Sequence, residues 1–169
     1  VYRFDREGMC LETETLLGGR VTFTYETEAP FHLVKAEKDT GEFFAFSYGA
    51  DGMLERVEDH VGRCLSYQYQ GGLLKEVTLP DGNTFRYGYT PPGKLEQVEN
   101  QRGIVTVENF FDEEHRTTLQ KFPDGTQMSY VYDAEKKAVE LTERNGSRVI
   151  YVHDDMYRDV KHIHSNGEE

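Results

Sequence analysis

Apolar and polar residues alternate in short stretches that recur along the whole chain. Leu65, Tyr67 and Tyr69, for example, alternate with the polar residues Ser66 and Gln68. A period of two places every second side chain on the same face of a β-strand. The same alternation occurs in residues 44–48, 85–89, 128–132 and 149–153. The pattern therefore predicts a series of short strands, each with one face rich in aromatic rings.

Two landmarks recur along the chain at steps of about 21 residues. One is an aromatic residue, or a substitute for it, and it is often followed by an acid: Phe4, Tyr25, Tyr48, Tyr69, Tyr89, Phe111, Tyr132 and His153. The other is a glycine: Gly19, Gly41, Gly62, Gly82, Gly103, Gly125, Gly146 and Gly167. A shared period indicates tandem repeats. We therefore predict a single array of about eight repeats over residues 1–169, with no separate second domain.

The landmark glycines lie in sequences that are typical of tight turns. Pro80-Asp81-Gly82 and Pro123-Asp124-Gly125 combine a preset φ at proline with a glycine that can take a positive φ. Asn145-Gly146 and Asn166-Gly167 are candidates for type I′ turns. Each glycine is thus expected to join two antiparallel strands.

A second turn and a second strand follow each aromatic landmark. Leu54 and Val57 belong to one such strand, and Leu95 and Val98 to another. The two aliphatic residues of each pair are three apart, which strict alternation would send to opposite faces. Either a β-bulge intervenes or the second face of the sheet is partly apolar.

The spacing between glycine and strand varies in two repeats. After Gly19 the apolar pattern comes one residue early, at Val21, and after Gly103 it comes one residue late, at Val107. A slip of one residue would turn every ring to the wrong face, so we expect a bulge or a changed turn to absorb each difference. The predicted fold is all-β, with tandem antiparallel β-hairpins forming one long, twisted and curled sheet of about sixteen strands.

Composition narrows the range of functions. Acids outnumber bases 31 to 19 and the net charge is −12, which argues against nucleic acid and anionic membrane surfaces as partners. No apolar stretch approaches the length of a membrane span, so no membrane insertion is predicted.

The chain begins in mid-strand without an export signal, which we interpret as an internal fragment of a larger protein. Cys10 and Cys64 are two half-buried thiols or one disulfide.

Catalytic chemistry has little support in the sequence. Carboxylates such as Glu55 and Glu58 fall at strand exits and solvent-facing positions, and no nucleophile or phosphate-loop motif occurs. We therefore predict no enzyme activity, no catalytic residue and no cofactor. His162 and His164 are two apart and would share a strand face, which makes them weak candidates for metal ligands without a specified third ligand.

The aromatic-acid pairs Phe4-Asp5, Phe111-Asp112 and Tyr132-Asp133 occur together with Gly52-x-Leu54, Gly93-x-Leu95 and Pro-Asp-Gly turns. This combination resembles the tyrosine-aspartate (YD) repeats of Rhs proteins, and the resemblance covers all eight units. Only three units carry the aromatic and Asp in full, and His153 replaces the aromatic in the last. The residues that form this repeat signature are Tyr25, Tyr48, Tyr69, Tyr89, Phe111, Tyr132, Asp133, Gly41, Gly62, Gly82, Gly103, Gly125 and Gly146.

The YD family includes bacterial polymorphic toxins, the B and C components of insecticidal toxin complexes, wall-associated proteins and teneurins. The resemblance implies a β-sheet strip that spirals into a hollow shell, which in bacterial members encloses a C-terminal toxin or effector. The terminal Asp-Pro-x-Gly core motif of the family is absent from this sequence.

The resemblance leads to a hypothesis of a non-enzymatic structural segment of a secreted or cell-surface protein in the bacterial cell envelope. Its expected partners are the remainder of the same polypeptide, including the enclosed segment, and a second copy joined through edge strands. The alternative is a module that binds carbohydrate or a cell-surface receptor through Tyr-rich faces, although the chain lacks tryptophan. A hydrolase is the third hypothesis, and a cleft with convergent acids would revive it.

Overall fold

The computed structural model describes residues 1–91 and 93–165. Within these ranges the chain forms sixteen β-strands and no helix, which confirms the all-β prediction. The strands are β1 (Tyr2–Phe4), β2 (Cys10–Glu14), β3 (Arg20–Tyr25), β4 (Leu33–Lys38), β5 (Phe43–Tyr48), β6 (Leu54–Asp59), β7 (Cys64–Gln70), β8 (Leu73–Thr78), β9 (Thr84–Tyr89), β10 (Leu95–Glu99), β11 (Val105–Phe111), β12 (Thr117–Lys121), β13 (Gln127–Asp133), β14 (Ala138–Thr142), β15 (Arg148–His153) and β16 (Asp159–His164).

The chain divides into two compact units, Val1–Thr84 and Phe85–Glu169. In the first unit, β1 to β8 pair antiparallel, each with the next strand in the chain. In the second unit, β9 to β16 pair in the same way. Each unit is therefore an antiparallel meander of hairpins, as the alternation predicts.

Neither unit contains a thick hydrophobic core. Among the described residues only the apolar side chains of Ala138 and Val149 and the polar side chain of Asp59 are buried. The aromatic rings that alternate along the strands, such as Tyr67 and Tyr130, are half-buried while their neighbours Gln68 and Val131 are exposed. In the part of the chain described, strands contact only the strands before and after them. Stability must therefore come from contacts between neighbouring hairpins.

Most hairpin turns share one backbone frame of five residues. In the turn Asp59–Arg63, the Asp59 N–H donates to the Arg63 carbonyl at 3.0 Å, and the Gly62 N–H donates to the Asp59 carbonyl at 2.9 Å. Gly62 has φ +82°, a left-handed conformation that glycine adopts at little cost. Twelve turns in the described ranges have this pair of bonds, and the left-handed position holds Gly8, Gly18, Gly41, Gly52, Gly62, Gly82, Gly93, Gly103, His115, Gly125, Gly146 or Tyr157.

Two turn assignments from the sequence are wrong. The left-handed residue of the second turn is Gly18 and not Gly19, because the frame spans Thr15–Gly19. Val21 then follows Gly18 at the same distance as Leu65 follows Gly62, and the β2–β3 register needs no bulge. The turn at Asn145-Gly146 is also not type I′, since it has the five-residue frame with a positive φ at Gly146 alone. Asn166 and Gly167 lie outside the described residues.

One hairpin connection does have two residues in the type I′ conformation. Gly71 and Gly72 both have positive φ, and they link Gln70 to its partner Leu73. A longer loop joins β3 to β4, where the Glu26 N–H donates to the His32 carbonyl at 2.9 Å. Its two additional residues account for the step of 23 between Tyr25 and Tyr48.

β-Bulges resolve the aliphatic pairs that are three residues apart. Tyr48 pairs with Leu54 and Ser47 pairs with Arg56, so Glu55 is an extra residue that returns Val57 to the face of Leu54. An equivalent shift occurs between Leu95 and Gln97. Of the two alternatives left open by the sequence, the bulge is confirmed. Similar shifts occur in the pairs β1–β2, β3–β4, β7–β8, β11–β12 and β15–β16.

A further bulge absorbs the late register after Gly103. Val98 pairs with Val107 and Glu99 pairs with Val105, which leaves Thr106 as the extra residue. The Thr106 hydroxyl donates to the Val98 carbonyl at 3.1 Å. Of the two alternatives expected at this repeat, a bulge or a changed turn, the bulge is confirmed, and it keeps the rings that follow on the correct face.

Cys10 and Cys64 are free thiols on different strands, β2 and β7. Both are half-buried, and the Sγ atoms lie near the carbonyl oxygens of Glu12 and Leu65. The two-thiol interpretation is confirmed, and the disulfide alternative is wrong for this structure.

Candidate functional site

The aromatic landmarks join each repeat to the one before it. We call the turn between an odd-numbered strand and the following even-numbered strand a corner. The landmark tyrosine at the end of the odd strand donates its hydroxyl to a carbonyl 15 residues earlier, the first residue of the preceding even strand. Four such bonds occur in the described part of the chain, from Tyr25 to Cys10 at 3.0 Å, Tyr48 to Leu33 at 2.9 Å, Tyr69 to Leu54 at 3.0 Å and Tyr132 to Thr117 at 2.8 Å.

These carbonyls lie where the bulges interrupt the regular strand pairing. A buried carbonyl without a partner is costly, so the tyrosine hydroxyl stabilises each bulge. Burial raises the pKa of Tyr25, Tyr48 and Tyr69, and that of Tyr89, which ends β9 at the equivalent position. Burial also raises the pKa of Tyr132, although the nearby Arg116 opposes the shift. The hydroxyls therefore stay protonated and able to donate.

Phe111 occupies the landmark position but has no hydroxyl, and an amide meets the same need. The Asn109 Nδ2 donates to the Leu95 carbonyl, the first residue of β10, at 2.9 Å. The Gln120 Nε2 donates to the Asn109 Oδ1 at 2.9 Å, and the Tyr130 hydroxyl donates to the Gln120 Oε1 at 2.7 Å. We call Asn109, Gln120 and Tyr130 the amide relay. Its sequence signal is a polar residue, Asn109, at an apolar position of the alternation, which the repeat signature does not include.

The acid that follows the aromatic caps the corner. The Asp112 Oδ1 accepts from the Arg116 N–H and its Oδ2 accepts from the Arg116 Nε, both at 2.8 Å. Asp154 and Arg158 form the same pair of bonds at 3.1 and 2.8 Å. Asp133 instead accepts from the Lys136 N–H at 2.9 Å and pairs with its Nζ at 2.7 Å. The Asp of the aromatic-acid pair thus stabilises the turn by accepting hydrogen bonds from residues of the same turn.

These hydrogen bonds favour the ionised form of the corner carboxylates. The bonds from Arg158 lower the pKa of Asp154, and the bonds from Lys136 lower the pKa of Asp133. At Asp112, desolvation is the largest single effect and raises the pKa, but the bonds and charge of Arg116 together lower it. A general acid needs a raised carboxyl pKa, so these three carboxylates are poorly suited to that role.

The glycines of the repeat signature occupy the turns at the other end of each hairpin. Gly41, Gly62, Gly82, Gly103, Gly125 and Gly146 have φ between 73° and 91°. A Cβ added at any of them would meet nothing within 4 Å. Only the backbone conformation therefore favours glycine at these positions.

The two candidate metal ligands lie on β16, the last described strand. His162 pairs with Tyr151 and His164 pairs with Val149, so both share the face that carries the rings of β15. The His162 ring contacts the Tyr151 ring edge-on at 4.7 Å, and its Nε2 lies 3.7 Å from the Asp159 Oδ2. Within the described ranges, no group of three or more His, Cys, Asp and Glu side chains is arranged to hold a metal ion.

Three adjacent corners of the second unit surround a cleft of about 550 Å³, which we call the corner cleft. The Arg116 guanidinium stacks over the Tyr132 ring, 4.5 Å from its centroid. Lys137 forms an ion pair with Asp155, and both side chains line the cleft. The side chains that line it from the three corners include Arg116, then Asp133 and Lys137, then Asp155, Tyr157 and Asp159.

Tyr157 stands apart from the other corner residues. It is 83% exposed and has φ +59°, at the position where ten of the twelve matching turns in the described ranges have glycine. Its ring lies 5.1 Å from the His153 ring at an interplanar angle of 31°. The sequence gives no direct signal for this cleft, because its residues come from three different repeats.

No helix that is long and apolar enough to cross a membrane occurs among the described residues. No protein-family model matches the chain, and no curated protein matches it.

Several solved structures of toxin-complex proteins resemble the chain. A crystal structure of TcdB2-TccC3 has a TM-score of 0.46 and 14% identity, covering 98% of this chain and 12% of that one. The Photorhabdus luminescens Tc holotoxin pore has a TM-score of 0.49 and 13% identity, covering 98% of this chain and 11% of that one. A crystal structure of TcdB2-TccC3-Cdc42 has a TM-score of 0.44 and 15% identity, covering 97% of this chain and 11% of that one. The chain therefore spans about a ninth of the length of the structures it resembles.

Proposed function

We propose that this chain is a non-enzymatic wall segment of a large secreted or cell-surface protein of the Rhs/YD kind. Its hairpins contribute to a β shell that encloses a C-terminal toxin or effector in the bacterial cell envelope. Physical containment is the mechanism, since a continuous wall keeps an enclosed polypeptide away from solvent and proteases.

The hydrogen bond from a landmark tyrosine to the preceding repeat carries this proposal. Tyr48 bonds to Leu33 and Tyr69 bonds to Leu54 with the same geometry, so each repeat completes its neighbour in the same way. Repeats can be added to such a wall without a change in the existing ones, because each repeat contacts only its nearest neighbours. That property suits a protein whose size is set by the number of repeats.

Unpaired strand edges support the expected partner. In the described part of the chain, β1 pairs only with β2 and β16 pairs only with β15. Each outer edge offers backbone N–H and C=O groups to another strand. Further repeats of the same polypeptide fit this edge, and so does a second copy of the chain.

The non-enzymatic part of the proposal rests on the use of the acids. Asp112, Asp133 and Asp154 accept turn hydrogen bonds and have lowered pKa values. The corner cleft brings several carboxylates together, but a glycosidase requires one carboxyl that is kept protonated near neutral pH. Neither Asp133 nor Asp154, which both line the cleft, meets that requirement.

Repeat deletion tests the modular wall within this chain. Removal of residues 44–64 joins Phe43 to Leu65, a step of 21 that keeps every ring on its face. We expect this variant to unfold cooperatively at a lower midpoint and to keep its β circular dichroism. Removal of residues 44–54 deletes one strand and one turn, and we expect loss of the fold. Equal damage from both deletions would contradict a modular wall.

Containment is tested in the full-length parent protein by limited proteolysis. We expect the C-terminal segment to resist a protease that digests the same segment when it is produced alone. Joint substitution of Tyr48, Tyr69 and Tyr132 by Phe should weaken the wall and shorten that protection, while Gln68→Ala should not. A C-terminal segment cleaved as fast in the parent as in isolation would refute the enclosing role.

A carbohydrate-binding module is the second candidate function. The observation that favours it is the corner cleft with the exposed ring of Tyr157.

A further inference from the structure

We propose that the corner cleft of the second unit binds a neutral oligosaccharide. This inference does not depend on the wall function, because the cleft lies within the second unit alone. A wall segment can carry such a site on its surface, and a failure of either proposal would leave the other standing.

The charges of the cleft favour an uncharged ligand. Four carboxylates, from Asp133, Asp154, Asp155 and Asp159, line the cleft and oppose an anion. The first three of these carboxylates already form ion pairs with a lysine or an arginine, so a cationic ligand would have to displace an existing partner to reach them. An apolar ligand would take these charged groups out of water without replacing their hydrogen bonds, which is costly. Sugar hydroxyls both donate and accept, so they satisfy the carboxylates and the cations together.

The polar groups with the most solvent access lie at the rim. The Asp155 side chain is 86% exposed and the Asp159 side chain is 60% exposed. Asp155 is already paired with Lys137, which fixes one acceptor and one donor side by side. Vicinal hydroxyls of a sugar match such an adjacent pair, because one hydroxyl donates to the carboxylate and the next accepts from the ammonium.

The exposed ring of Tyr157 supplies the stacking surface. It contacts the His153 ring at 5.1 Å, and its large exposed surface is available to the C–H face of a sugar. The left-handed backbone at Tyr157 costs stability that glycine would avoid, and the solvent-exposed ring regains little of it through packing. A volume of about 550 Å³ has room for roughly two or three sugar rings.

The decisive variant is Tyr157→Gly. It removes the ring while it relieves the left-handed strain, so the fold should be retained or slightly stabilised. His115→Gly is the matched control, because His115 has φ +66° in the same turn frame and does not line the cleft. Both variants should melt at or above the temperature of the unchanged chain.

Binding is measured on the 169-residue chain with maltotriose, cellotriose, chitotriose and mannotriose, by saturation-transfer NMR and calorimetric titration. We expect at least one trisaccharide to bind, with affinity at least about tenfold weaker in Tyr157→Gly and unchanged in His115→Gly. Asp159→Asn should also weaken binding. A sialylated glycan of similar size should bind more weakly than its neutral counterpart, because the four carboxylates repel it.

Three outcomes would overturn the proposal. The first is that none of the four trisaccharides binds at millimolar concentration. The second is equal binding by the unchanged chain and a folded Tyr157→Gly variant. The third is a preference for a charged ligand, tested with a sialylated glycan and with a lysine-rich peptide, over every neutral sugar.

Discussion

The two units meet the same structural need with different chemistry. In the first unit, Tyr25, Tyr48 and Tyr69 each donate a hydroxyl to the carbonyl beside a bulge. In the second unit, Tyr132 does the same, but the repeat with Phe111 uses Asn109 instead. What recurs is a carbonyl that needs a donor, and the residue that supplies the donor can change. A repeat is therefore defined by this backbone carbonyl, which the regular strand pairing leaves without a donor, as well as by its residue types.

The units also differ at their corners and in their burial. The second unit places His115, Lys137 and Tyr157 in left-handed conformations, whereas Phe31 is the single non-glycine example among the described residues of the first. Both buried apolar side chains, Ala138 and Val149, belong to the second unit as well. The three left-handed side chains of the second unit are exposed at its corners, and two of them, Lys137 and Tyr157, line the corner cleft.

The largest expected effect comes from deleting a ring in each unit. Tyr130→Ala should destabilise the chain by about 3 kcal/mol, because it removes a half-buried ring and the hydroxyl that donates to the Gln120 Oε1. Tyr67→Ala removes a half-buried ring alone and should cost about 2 kcal/mol. Denaturant unfolding measures both, and Gln68→Ala is the control at an exposed position. Equal costs for Gln68→Ala and Tyr67→Ala would contradict the assigned faces.

A rescue experiment tests whether hydroxyl and amide are interchangeable. Asn109→Ala should cost about 1–2 kcal/mol because the Leu95 carbonyl loses its donor. Phe111→Tyr should recover part of this loss in the Asn109→Ala background and little in the unchanged chain. Tyr48→Phe, which removes the equivalent hydroxyl in the first unit, should cost about 1 kcal/mol. An absence of any rescue would show that the two units are built on different principles.

Acid should weaken the second unit more than the first. The folded-state pKa is lowered at Asp112, Asp124, Asp133 and Asp154 in the second unit, and at Glu42, Asp59 and Asp81 in the first. At Asp59 and Asp112 desolvation is the largest single effect and raises the pKa, but hydrogen bonds and the charge of a nearby arginine together outweigh it. At the other five carboxyls a hydrogen bond is the largest cause of the lowered pKa. A lowered pKa contributes stability above the unfolded value, and this stability is lost as pH falls through the folded value. Amide hydrogen exchange at pH 5 and below about pH 4 should show protection lost first in β11 to β16. Earlier loss in β1 to β8 would contradict this order.

The smallest effects concern turn conformation. Gly62→Ala should destabilise by about 1 kcal/mol, because alanine is strained at φ +82° although nothing lies within 4 Å of its Cβ. His115→Gly should be neutral or stabilising by less than about 1 kcal/mol for the opposite reason. Thermal melts of both variants measure the difference. A stabilising Gly62→Ala would show that the turn frame does not depend on left-handed geometry.

Strand positions were predictable from the sequence, because a buried face enforces a period of two. The same period required either a bulge or a changed turn after Gly103, and the sequence did not choose between them. The bulge at Glu55 was one of two open alternatives, since spacing alone does not show which residue is left unpaired. The turn glycine was misassigned at Gly19 because Gly18 and Gly19 are adjacent, and only backbone φ separates them. The amide relay was missed because its three side chains come from β11, β12 and β13.

Alternation of side chains and the step of about 21 residues determined by themselves that this chain is an all-β array of hairpins. These are local properties, since a strand and its turn are encoded within a few consecutive residues. Only the tertiary structure decided which carbonyl each tyrosine hydroxyl reaches and which corners meet around Tyr157. Those contacts join residues about 15 to 40 positions apart, and their geometry depends on how bulges and turns add up between them.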